Sequence, residues 1–347
     1  MTIPETSRAW YRTAPPYPLQ VASRNESVPK PSSTQVLIRV HAVSLNYRDI
    51  AMLREGGYPA PADIEGIAAS DCAAEVVAVG SAVQKFAIGD HVAPTFNLLN
   101  ITGDERVNDN IALGGNGPGV LREYVAFEED ALVKLPGYLS WEEASTLACA
   151  GVTAWTSLDS LKNVKKDTVV LLQGTGGVSL MALLICLAAN IKVIITSSSD
   201  EKLASLKKLG DIEVINYKTT PDVTAEALRL TKGMGVDYVV NNIGLNSIPA
   251  DLKSLRKNGT ISLVGFLGGF EPTFPVSELS LLFLKMAKIQ TIGVGSRLDF
   301  EAFNRFLEEK KLPLKSAIDR VFEFNDSPAA FEYLASGKHT GKVVIKI

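Results

Sequence analysis

The sequence predicts an α/β fold in which a doubly wound parallel sheet is inserted into a β-rich, partly closed barrel domain. Three observations carry that expectation. An apolar run, Val169–Leu172, feeds a turn bearing Gly174, Gly176 and Gly177, and an apolar stretch of helical length follows at once. From about residue 168 to residue 295, strand-like segments alternate with crossover-length segments: TVVLLQG, IKVIITS, EVINY, VDYVVNNIG, TISLVGF and QTIGVG. Upstream, from about residue 35 to residue 136, short strands (VLIRVHAVSL, AAEVVAVG, HVAPTF) lie between turns rich in Gly and Pro.

In chain order, residues 1–138 read as the first part of the β-rich domain, 139–297 as the nucleotide-binding domain and 298–347 as a return segment. A helix from Trp141 to Leu158 joins the first two. After Gly295, a helix over Asp299–Glu309 and the strands VFEF and KVVIKI complete the β-rich domain. The cleft between the two domains is the expected active site.

Composition fits a soluble enzyme. Of 347 residues, 46% are apolar, enough for a core, and the net charge of −3 favours neither nucleic acid nor an anionic membrane. The opening MTIPETSRAWYRTAPPYP is not a signal peptide, and no run of about 18 uninterrupted apolar residues exists to span a bilayer. Cys72, Cys149 and Cys186 are far apart and fit a reducing compartment, so a cytoplasmic protein is expected.

The strand–turn–helix unit is the kind that binds the pyrophosphate of a dinucleotide. Glycines let backbone approach the phosphates, and the helix N-terminus offers unpaired N–H groups from about Gly177 and Val178. Ser179 stands where close helix–strand packing usually takes Gly or Ala. The end of the next strand selects the cofactor. An NAD-binding unit ends that strand with an acid on the ribose hydroxyls, but here Ser197 stands 23 residues after Gly174, followed by Ser198, Ser199 and, on the next helix, Lys202. Serines and a lysine suit a 2′-phosphate that a carboxylate would repel, so NADP(H) is expected. The same serines also serve as caps for a helix beginning near Asp200.

The segments SLNYRDI (44–50), GDHV (89–92), REYV (122–125), LACAGVTAW (147–155), QGTGGVS (173–179), INYKTTPD (215–222), GVDYVV (235–240), VGFLGG (264–269) and GKHTGKVVI (337–345) stand in one order along nearly the whole chain. In this order the chain resembles the medium-chain dehydrogenase/reductase superfamily, in its zinc-free quinone oxidoreductase-like branch of enone and enoyl reductases. The resemblance implies a Rossmann domain inserted in a GroES-like domain. Ala74 departs from it, where members usually have glycine.

Zinc members hold the catalytic ion with a Cys, a His and a second Cys. By the resemblance these positions are Asn46, Ser70 (with the adjacent acid Asp71) and Cys149, so only one ligand survives. A catalytic zinc needs three protein ligands, and the region corresponding to the structural zinc lobe, Asn97–Gly119, has no cysteine. His41, His91 and His339 form no ligand cluster in the sequence. No zinc is expected.

Without zinc to acidify an alcohol, hydride delivery to an activated alkene is the easier reaction. Negative charge then collects on a carbonyl oxygen, where hydrogen-bond donors stabilise it and a tyrosine supplies a proton. The expectation is NADPH-dependent reduction of a conjugated carbonyl compound or a quinone. Tyr58 and Tyr47 are the candidate acids, or else a lid residue and a core aromatic. Asn46 is the candidate donor to substrate or nicotinamide ribose. Asp49 orients Arg48 or forms an ordinary salt bridge with it at the cleft rim.

The resemblance further implies cofactor contacts from Tyr217 and Lys202 at the 2′-phosphate, and from Thr153 near the nicotinamide. Others come from Asn242 and Gly244, from Gly265, Phe266 and Leu267, and from Gly295, Ser296 and Arg297 at strand ends. Lys342 corresponds to a late lysine that reaches NADPH, or is a solvated lysine on a terminal strand. Phe96, Asn97, Leu98, Phe270 and Phe283 suggest a small apolar substrate, unless they are core. A homodimer is expected through the edge strand 290–295. Two other readings stay open: an NADP-dependent alcohol dehydrogenase acting on an activated alcohol, and an NADP-binding structural or RNA-associated protein with little turnover.

Overall fold

The computed structural model describes residues 2–60, 62–106 and 109–347. Residues 107 and 108, inside the segment compared with a zinc lobe, lie outside the described residues. The chain forms two compact units, Met1–Val152 with Val294–Ile347, and Thr153–Gly293.

The first unit opens with an antiparallel ribbon, β1 (Thr6–Arg12) and β2 (Val21–Ser27). Sequence reading missed this ribbon because β2 is mostly polar and buries one residue fully, Val21. The central strand β3 (Gln35–Leu45) is followed by the short helix α1 (Tyr47–Ala51). Then come β4 (Asp71–Val79), β5 (His91–Pro94), β6 (Tyr124–Glu128) and β7 (Leu132–Lys134).

The expected helix 141–158 is broken. Helix α2 (Trp141–Ala144) gives way to a wide π turn over Leu147–Gly151 and then to α3 (Val152–Ser157). The break has a cause: the Cys149 N–H donates to the Asp71 carboxylate at 3.0 Å instead of to a helix carbonyl. Trp141 stacks on His41 and tilts against His91, with ring centroids 4.2 and 4.0 Å away. Residues 139–152 therefore pack within the first unit, and the nucleotide-binding unit begins at Thr153, later than the expected 139.

The second unit alternates strand and helix: β8 (Val169–Leu172), α4 (Gly177–Ala188), β9 (Lys192–Ser197), α5 (Asp200–Leu206), β10 (Glu213–Asn216), α6 (Val223–Leu230), β11 (Val236–Asn241), α7 (Ile248–Ser254), β12 (Leu255–Leu263), α8 (Leu281–Lys285) and β13 (Lys288–Thr291). The six strands pair in parallel in the order β10-β9-β8-β11-β12-β13. All four residues of β8 are buried, as a strand covered on both faces requires. Strand order reverses between β8 and β11, which sets the ligand-binding switch point at their C-terminal ends. β13 stops at Thr291, short of the expected 295, and Val294 follows with φ +68°.

The chain then returns to the first unit through α9 (Arg297–Lys310), β14 (Ile318–Glu323), α10 (Ser327–Ala335) and β15 (Lys342–Lys346). The sheet there runs β14-β15-β3-β4-β5-β7, with β6 also on β3. Val36, Ile38, Val43, Leu45, Val343 and Ile345 bury its inner face.

Candidate functional site

In the second unit, β8 runs into Gln173 and the glycine turn. Gly174 has φ +77°, a conformation that favours glycine, and a Cβ on Gly174 or Gly176 would meet nothing within 4 Å. Backbone lies open there. Gly176 caps α4 and supplies no side-chain acceptor, so the first N–H groups of α4, from Gly177 and Val178, are left for an anion. Ser179 fits its position: it is buried and donates to Gln173 O at 2.8 Å. The Asn242 amide donates to Ser179 Oγ and to Gln173 O, both at 3.0 Å. The N–H2 edge of Asn242, expected at the cofactor, thus braces the turn.

Beneath the turn lies a cluster that sequence reading missed. Asp251, buried on α7, accepts from Gln173 Nε2 and Asn241 Nδ2, each at 2.7 Å, and from the Ser247 hydroxyl at 3.0 Å. Burial raises its carboxyl to about 7 against those three donors. In the sequence Asp251 reads as an ordinary acid near the start of a helix.

At the end of β9, Ser197 is buried and accepts from the Ser199 N–H at 3.2 Å, and Ser199 caps α5 by accepting from the Lys202 N–H at 3.3 Å. The capping reading is therefore realised by Ser199, while Ser198 stays half-buried. The nearby acid Asp200 accepts from Asn216 Nδ2 at 2.7 Å. Tyr217 is 45% exposed, and its N–H donates to Ser197 O.

Thr153 is buried, with its carbonyl taken by the Ser157 hydroxyl at 2.6 Å. A Cβ on Gly265 would lie 2.5 Å from Asn242 O, so glycine is required for the segments that follow β11 and β12 to approach this closely. The N–H groups of Gly265 and Leu267 are spent on Asn241 O and Asn242 O, and Phe266 stacks on Phe270. Gly295, Ser296 and Arg297 belong to the first unit, not to a sheet end. Ser296 caps α9, and Arg297 donates to Asp130.

In the first unit, the positions that correspond to zinc ligands do come together. The Asn46 Nδ2 donates to Ser70 Oγ at 3.3 Å, Ser70 donates to Asp71 Oδ1 at 2.6 Å, and Cys149 N donates to Asp71 Oδ2 at 3.0 Å. The Lys342 ammonium, 3% exposed, donates to Leu45 O at 2.6 Å and to Asn46 Oδ1 at 2.5 Å. The lysine is therefore not a solvated residue on a terminal strand. Asp49 is also buried and takes the Asn46 N–H at 2.7 Å. Burial raises the carboxyls of both Asp49 and Asp71.

These residues do not fit a zinc ion. Asn46 and Ser70 are neutral oxygen and nitrogen groups already bonded to one another. Burial pushes the Cys149 thiol up to about 12, away from the thiolate that zinc binds. An ammonium stands on the first ligand position. Among the described residues, no group of three His, Cys, Asp or Glu side chains could hold a metal.

Arg48 and Asp49 do not form a rim salt bridge: both are buried, and Arg48 donates to Leu113 O at 2.7 Å. The Arg48 guanidinium lies over the Tyr58 ring at 5.4 Å and over the Phe96 ring at 4.8 Å. Tyr47, at 43% exposure, is an accessible surface residue and not a core aromatic. No described helix is long and apolar enough to cross a membrane.

Comparison with known proteins agrees with this architecture. The alcohol dehydrogenase GroES-like domain family matches residues 32–137, and the zinc-binding dehydrogenase family matches residues 177–309. A zinc-type alcohol dehydrogenase-like protein of Schizosaccharomyces pombe is 40% identical over 319 residues, covering 90% of this chain and 91% of its own. The chloroplastic quinone-oxidoreductase homolog of Spinacia oleracea is 27% identical over 327 residues, 92% of each chain. A solved structure from Sinorhizobium meliloti 1021, provisionally assigned as an alcohol dehydrogenase, superposes with a TM-score of 0.90 at 34% identity over 100% of both chains. The chain belongs to the medium-chain dehydrogenase/reductase superfamily and is an oxidoreductase of that superfamily.

Proposed function

We propose that the protein uses NADPH to deliver hydride to a small apolar conjugated carbonyl compound or to a quinone, without zinc. The observation that carries this reading is the Asn46–Ser70–Asp71–Cys149 cluster. The positions that would hold a catalytic zinc carry a lysine-bound amide, a hydroxyl and a thiol held protonated. The residues of the glycine turn fit a dinucleotide pyrophosphate, and Gly174, Gly176, Gly177 and Val178 would hold it. Ser197, Ser198, Lys202 and Tyr217 are proposed around the 2′-phosphate, with no strand-end acid to repel it. Thr153, Asn242, Gly265, Phe266 and Leu267 are proposed near the nicotinamide half.

Bound NADPH supplies a hydride. The chain's own part is to bind the substrate oxygen through Asn46 and to provide a proton from Tyr58 or Tyr47. For an enone, the electron pair of the alkene passes to the carbonyl oxygen as hydride reaches the β-carbon. A proton at the α-carbon then gives the saturated ketone. The same unit is proposed to pair with a second copy along β13, an edge strand of the sheet, next to Phe283 at 86% and Leu284 at 75% exposure. A monomeric mass in solution would remove that part of the proposal.

The test is NADPH oxidation by metal-stripped protein with an enone, its saturated ketone and a quinone, with NADH run alongside and products identified by mass. Reduction of the enone alkene or the quinone, with the saturated ketone inert, supports the proposal. The names of the relatives favour a second reading, an alcohol dehydrogenase on an activated alcohol. Turnover of the saturated ketone, or activity only with added zinc, would establish that reading instead.

A further inference from the structure

The register of β15 against β3 sets Val343 opposite Leu45, which carries Lys342 to the point where Asn46 leaves the strand. Burying an ammonium there is costly unless it is paired and hydrogen-bonded. Two of its three donors go to Leu45 O and Asn46 Oδ1, and Asp71 supplies the opposing charge.

Resting on the function proposed above, we infer that Lys342 is a positioning cation. It fixes the Asn46 amide and polarises it, so that Asn46, in place of a metal, stabilises the substrate oxygen as hydride arrives. Lysine only donates, so Oδ1 of Asn46 must face it and the amide cannot flip. Nδ2 is thereby turned toward Ser70, whose own proton is committed to Asp71 at 2.6 Å. The links run one way, from Lys342 through Asn46 to Ser70 and to the Asp71 carboxylate, which the Asn46 side chain also faces.

The Asn46–Ser70 link is long, at 3.3 Å, and a neutral hydroxyl is a weak acceptor. A carbonyl oxygen gaining negative charge is a stronger one, and an amide backed by an ammonium is a stronger donor. Asn46 keeps its protons throughout. The electron pair displaced by hydride ends on the oxygen, and the α-carbon proton comes from the separate acid.

The experiment compares Lys342→Met and Asn46→Asp with wild type, measuring NADPH dissociation, kcat and KM for the enone and the quinone. Both variants are expected to bind NADPH within about twofold of wild type and to lose kcat by about 30-fold or more. Asn46→Asp keeps an acceptor for Lys342 while it removes the N–H donor, and circular dichroism of both variants establishes that each is folded before kinetics are read. Wild-type kcat in folded Lys342→Met, or in Asn46→Asp, overturns the inference. So does a Lys342→Met variant whose NADPH binding weakens tenfold while kcat at saturating NADPH is unchanged, since that is a cofactor lysine. Failure of the wild-type protein to reduce any conjugated carbonyl or quinone is a different result, and it rejects the proposed function itself.

Discussion

The Asn242 amide donates to Ser179 Oγ at 3.0 Å, and the Ser179 hydroxyl in turn donates to Gln173 O at 2.8 Å. A hydroxyl in a place that ordinarily takes Gly or Ala thus ties the start of α4 to the ends of β8 and β11. Replacing Ser179 with Ala leaves the Asn242 amide and Gln173 O each short of one partner in a buried setting. The expected cost is about 1 kcal/mol, a fall of a few degrees in the melting temperature. Thermal unfolding of the two proteins checks it, and an unchanged midpoint would mean the hydroxyl contributes nothing.

Asp251 makes stability depend on pH. Its carboxyl is raised to about 7 in the folded chain, against about 4 unfolded, so the folded state binds the proton more tightly. The stabilisation is complete below pH ~4 and is lost as pH rises toward 7, by at most about 1.4 kcal/mol per pH unit. Urea unfolding of wild type and Asp251→Asn at several pH values between 4 and 8 isolates this contribution. Parallel pH profiles for the two would refute it.

Lys202 is expected to discriminate between cofactors. Lys202→Ala should raise KM for NADPH about tenfold and leave KM for NADH unchanged, since one charge-assisted contact to phosphate is worth about 1.5 kcal/mol. Steady-state kinetics with both cofactors measures it. Equal effects on the two would mean the lysine does not touch the 2′-phosphate.

Cysteine chemistry should be quiet. With its thiol pushed up to about 12 by burial, Cys149 carries a thiolate fraction of about 10⁻⁴ at pH 8, and burial raises Cys72 and Cys186 as well. Iodoacetamide is expected to leave buried Cys72 and Cys186 untouched in the folded protein, to alkylate half-buried Cys149 only slowly, and to alkylate all three in urea. Rapid labelling of native Cys149 would show that its thiol is not held protonated.

What the sequence determined by itself was local. Val169–Leu172 followed by three glycines within four residues names a strand, a turn and a helix start, because backbone sterics and apolar periodicity act over a few residues. The alternation of six strands with crossover-length segments and the serine at the end of β9 were readable for the same reason, whereas the loss of two of three zinc ligands was readable through the family resemblance; the order of the strands in the sheet was not. The tertiary structure decided what depends on register and distant partners. Asp71 diverts the Cys149 N–H from 78 residues away and breaks the helix expected over 141–158. Asn46 and Lys342 are 296 residues apart and meet only because β15 lies antiparallel to β3 in one register. A shift of one residue would turn Lys342 to the other face of the sheet, into the core cluster that holds Val343 and Ile345, where an ammonium has no place; that tertiary setting, and no local propensity, separates the two registers.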